Sequence, residues 1–137
     1  MELKTQNIYY GALNTLRDAA HRNAVDKGFH NDRDEITELL GGHIPLLTNY
    51  GRVAVASRLA LIHSEVSEAL ELIRKDDNVK HDTYAKDGKP IGFSSELADI
   101  IIRVLDLSGL LGINIGKAVV EKLEYNASRE YRHGKKL

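Results

Sequence analysis

The sequence predicts an all-α fold, a single domain resembling a four-helix bundle. Three observations carry that reading. Four stretches place apolar residues at helical period, no stretch alternates apolar and polar residues between turn pairs, and the only two prolines, Pro45 and Pro90, fall in stretches that also carry glycine. With 137 residues, 42% of them hydrophobic, the chain has the size of one domain, here taken as residues 1–137, and buries roughly two-thirds of the surface its unfolded form exposes.

The first helix is expected over about residues 7–27, with Gly28 as its C-cap, because glycine takes up the left-handed cap conformation freely. Gly41, Gly42 and Pro45 then mark a loop. The second helix is expected over about residues 52–75, and residues 76–90 read as a long polar loop. The third starts near Ser94 or Ser95, whose hydroxyls can cap free amides, and ends at Gly112. The fourth covers about residues 114–131 with Asn114 as cap, and a basic tail follows.

Composition removes several function classes. The chain has no cysteine, so disulfides, thiolate zinc sites and cysteine nucleophiles are excluded. A formal net charge of -1 argues against a nucleic-acid partner. No apolar run approaches a membrane span and the N-terminus lacks a signal-peptide pattern, so a soluble cytoplasmic domain is expected.

Charge then appears where apolar side chains belong. At 100° per residue, Leu61, Ile62, Ala69, Leu72 and Ile73 share one face of the second helix, with Glu65 in its middle and Glu68 on its edge. The third helix is apolar almost all round, and its charged residues Glu96, Asp99, Arg103 and Asp106 form one narrow stripe at spacings of three, four and three. Antiparallel packing of the two helices brings Glu65-x-x-Glu68 and Glu96-x-x-Asp99 together. Four facing carboxylates need a cation between them, and an all-oxygen set suits Mg²⁺, or Mn²⁺ in its place. The plainer alternative has Glu65 and Glu68 lining a polar groove or pairing with lysines of a partner subunit, and Arg103 paired with Asp106 along the helix.

On the fourth helix Lys122, Asn126 and Arg129 share one side. Cations and an amide beside a carboxylate-bound metal are what a polyphosphate requires, whereas alone they read equally as a solvated face.

Together these residues resemble a family. Glu65-Val-Ser-Glu68, 27 intervening residues, then Glu96-Leu-Ala-Asp99 resembles the paired motif of the all-α nucleoside triphosphate pyrophosphohydrolases of the MazG type. The stretch from Lys122 through Asn126 and Arg129 to Lys135 looks like that family's C-terminal signature, and the likeness covers roughly residues 10–136. The resemblance implies that Glu65, Glu68, Glu96 and Asp99 hold Mg²⁺ and that Lys122 and Asn126 contact phosphates or sugar. It implies cleavage between the α and β phosphates of a nucleoside triphosphate, giving the monophosphate and pyrophosphate. It further suggests base stacking by Phe29 with His30 nearby, and a homodimer or homotetramer whose subunits complete the pocket. The loop over residues 76–90 is long for a compact member.

Two rivals remain from the sequence. A di-iron bundle needs Glu-x-x-His pairs, which Glu65, Glu68 and Glu96 lack. A non-catalytic dimeric helical interaction or regulatory module accounts for the apolar third helix but leaves its acidic stripe unexplained.

Overall fold

The computed structural model describes residues 3–31, 48–75 and 83–130. Among these it is helical apart from one short hairpin: α1 (Leu3–Asp26), α2 (Asn49–Lys75), β1 (Thr83–Tyr84), β2 (Pro90–Ile91), α3 (Phe93–Leu110) and α4 (Ile115–Ala127). None of the described helices is long and apolar enough to cross a membrane. The glycine- and proline-bearing loop around Pro45, residues 76–82 of the expected polar loop, and the C-terminal tail lie outside the described residues.

Local chemistry explains most of the helix ends. Gly28, at φ 77°, closes α1: its N–H donates to Val25 O and that of Phe29 to Ala24 O, the pair of bonds that satisfies the last free carbonyls. Thr48 begins α2, its Oγ1 accepting from Gly51 N–H at 3.1 Å. Asn114 caps α4 through its Oδ1, which accepts from Lys117 N–H at 3.0 Å. The cap expected from Ser94 or Ser95 is not formed. Gly92 holds the N-cap position without a side-chain bond, and Ser95 Oγ instead donates to the Pro90 carbonyl at 3.2 Å. The hairpin also departs from the expected absence of strands, since its two-residue rungs, Thr83 opposite Ile91 and Tyr84 opposite Pro90, are too short to show an alternating pattern.

Helix α3 is central. It packs on one side against α1 and on another against α2, while α4 packs against α1. The core is small for the chain length: Ala24, Ala69, Leu105, Leu107 and Val120 are its buried apolar residues among those described. Two glycines set the close crossings. A Cβ on Gly116 would stand 2.5 Å from the Tyr10 carbonyl of α1, and one on Gly109 of α3 would stand 2.6 Å from His21 Cβ.

Candidate metal centre

Helices α2 and α3 run antiparallel, which the pairing of Glu65 with Arg103 and of Glu68 with Glu96 makes plain. Glu65, Glu68 and Glu96 each offer a carboxylate oxygen, and these oxygens lie within 4.8 Å of one another. Glu65 is 7% exposed and accepts from Arg103 Nε at 2.6 Å. Glu96 is half-buried and Glu68 is exposed. Loss of water around Glu96, and next the charges of Glu68, Asp99 and Glu65, push its carboxyl above the usual range, with Lys89 pulling the other way. Arg103 is the one cation hydrogen-bonded to these three carboxylates among the described residues, so negative charge accumulates there.

The fourth expected acid stands apart. Asp99 lies one turn beyond Glu96 and outside the group of three, lining an adjoining cavity of about 290 Å³. Phe29, Arg58, Leu61, Ile102 and Arg103 also line it. Phe29 is 64% exposed. Its neighbour His30 is the opposite, 3% exposed with both ring nitrogens engaged. Arg58 Nη2 can only donate, so His30 Nδ1 accepts (3.0 Å) and His30 Nε2–H donates to Asp106 Oδ1 (2.9 Å). His21 Nδ1 meets the same carboxylate oxygen at 2.8 Å, its ring edge-on to His30. His30, expected near the stacking Phe29, is not itself part of the cavity lining and holds Arg58. Nor do Arg103 and Asp106 pair with each other; each is taken by another helix.

Lys122, Asn126 and Arg129 are exposed on or just beyond α4, with the Lys122 ammonium 5.1 Å and the Arg129 guanidinium 5.9 Å from the Tyr125 ring centre. Among the described residues no hydrogen bond or ion pair links them to the carboxylates, and α4 packs on α1 rather than on α2. Among the described residues, the trio expected at the phosphates does not stand together with the acids.

Sequence reasoning did not single out His21 and Arg58. A signal existed, because Arg58 precedes Glu65 by seven residues, close to two turns, and so shares its buried face. Comparison of the chain with models of protein families, with curated proteins and with solved structures yields no match.

Proposed function

We propose that the protein is a divalent-cation-dependent nucleoside triphosphate pyrophosphohydrolase of the MazG type, working as a homodimer or homotetramer. The observation that carries the proposal is the convergence of Glu65, Glu68 and Glu96 from two helices, with Arg103 the one cation hydrogen-bonded to them among the described residues. An all-carboxylate set without histidine suits a hard ion, Mg²⁺ or Mn²⁺. Glu65 and Glu68 from α2 and Glu96 from α3 would hold it, and Asp99 is within one turn of joining them. Such an ion supplies charge neutralisation on the phosphates and an activated water. In this reading Lys122, Asn126 and Arg129 meet the phosphates from a neighbouring subunit, since their own chain keeps them on α4, away from α2.

A panel of ribo- and deoxyribonucleoside triphosphates with Mg²⁺, scored for pyrophosphate release, tests the reading. Turnover is expected to depend on the metal and to disappear in Glu68→Gln and Asp99→Asn. The exposed apolar helix faces also favour the non-catalytic dimeric helical interaction or regulatory module. Such a module would release no pyrophosphate, and Mg²⁺ would leave its melting temperature unchanged.

A further inference from the structure

The cavity beside the carboxylates lies in the gap between α1 and α2. Ala20, Asn23 and Phe29 line it from α1 and its cap, Arg58 and Leu61 line it from α2, and α3 supplies the rest of the wall. Both helices pack on α3, and among the described residues neither packs extensively on the other. A hydrogen bond spans the gap: Arg58 Nη2 of α2 donates to Nδ1 of His30, just past the end of α1. His30 is tied in turn to α3, its Nε2–H donating to Asp106 Oδ1, which His21 Nδ1 meets as well.

The bond across the gap is sensitive to a single proton. With Nε2–H on Asp106 and Arg58 donating to Nδ1, a second proton could enter the His30 ring only at Nδ1, where N–H would face N–H and one cation another. At 3% exposure the ring has almost no water to turn to instead. His21 differs. Its side chain is 27% exposed and its Nδ1–H already points at a carboxylate that can only accept, so a second proton at Nε2 leaves that bond in place and adds charge to it. The groups facing His30 are thus His21 from α1, Arg58 from α2 and Asp106 from α3, with Asp99 and Arg103 of α3 lining the cavity beside them. We propose that His30 is a proton-sensitive latch on this cavity: neutral, it joins the end of α1 to α2, and on protonation it gives up Arg58, so that the two helices part and the cavity widens. The open form holds one proton more than the closed form, so closure is favoured at high pH and lost as pH falls.

The chain has no tryptophan, so Phe29→Trp places a lone indole at the wall of the cavity, at a position 64% exposed in the native chain. Its emission should change once between about pH 8 and pH 5, the span in which histidine charges, with the steepness of a single proton and with the helical circular dichroism unchanged. His30→Gln keeps one acceptor and one donor but cannot titrate. Added to the reporter, it should abolish the change and hold the emission at its high-pH value, whereas His21→Gln should leave a change in place. A flat emission profile, a change that survives His30→Gln, a change lost in His21→Gln, or loss of helix over the same pH span would each overturn the latch. Should the His30→Gln protein fail to fold, NMR titration of the unsubstituted protein decides. The His30 ring must then take up its proton at the pH where the Phe29 ring signals shift, and a His30 ring that titrates without them, or that does not titrate by about pH 5, overturns the latch as well.

Discussion

Glu65 and Glu68 look alike in the sequence, one turn apart on one helix, yet their surroundings give them opposite effects on stability. Glu65 is buried against Arg103, so Glu65→Gln leaves that guanidinium without its anion. A fully buried pair broken in this way costs several kcal/mol; with the Arg103 side chain 37% exposed, a loss of about 1–3 kcal/mol is expected. Glu68→Gln removes a charge that repels Glu96 and should leave the metal-free melting temperature unchanged or higher. A larger loss in Glu68→Gln than in Glu65→Gln would contradict this division. Glu96 adds a pH signature. Its folded carboxyl holds a proton at pH values where the unfolded one has released it, so metal-free stability falls as pH rises from the ordinary glutamate range through the raised value. Melting curves in chelator should show that decline, and saturating Mg²⁺, by favouring the ionised form, should remove it. The acids were legible in the sequence because charge on an apolar face is anomalous. The depth of His30 was not, because a position just past a helix cap says nothing about burial.

At the level of elements, what could be read depended on how local the cause is. Gly28 and Asn114 cap through bonds spanning a few residues, and the sequence contains everything those bonds need. Gly92 takes the N-cap of α3 because the hairpin delivers the chain there and draws Ser95 back to Pro90, a tertiary cause that no capping rule contains. Helical period likewise put Lys122, Asn126 and Arg129 on one side without saying which helix that side would meet. The crossing of α1 and α4 yields a paired prediction. Gly116→Ala sets a Cβ against the Tyr10 carbonyl, a backbone atom that cannot swing aside, and should destabilise by about 1–3 kcal/mol. Gly11→Ala, also within a helix, meets nothing within 4 Å and should stabilise by about 0.5–1 kcal/mol through helix propensity. Chemical denaturation of the two variants measures both signs, and a stabilised Gly116→Ala would show that α4 does not rest on α1 as closely as described.

For the whole molecule, the apolar α3 was legible from composition but the reason for its excess was not, because a helix wheel cannot tell a core from an interface. Among the described residues, exposed apolar side chains form two stripes: Leu59, Val66, Leu70 and Ile73 on α2, at spacings of seven, four and three, and Leu97, Ile101 and Val104 on α3. All are 36–57% exposed. Each stripe lies roughly a quarter-turn from the line joining the two helices, and because these run antiparallel both fall on the same side. No charged residue interrupts either stripe. The helices, roughly 40 and 27 Å long, give this face an area on the order of 700 Å², close to the roughly 800 Å² per partner of an ordinary stable interface. In the proposed homodimer a second copy would supply the two further helices that close a four-helix bundle, and a two-fold axis through the face would make it self-complementary. The expected species in sedimentation is therefore a dimer or a multiple of it, and Ile101→Glu should shift it toward monomer. The absence of cysteine from the chain allows a direct check. Single cysteines at Val66, Leu70 and Ile101 can be oxidised only between chains, and the one nearest the axis should give a covalent dimer that Glu71→Cys, on the opposite side of α2, does not. A 15.3 kDa species at all concentrations, or equal cross-linking from both sides, would remove this face as the interface and leave Lys122 and Arg129 without the neighbouring subunit that their proposed phosphate role needs.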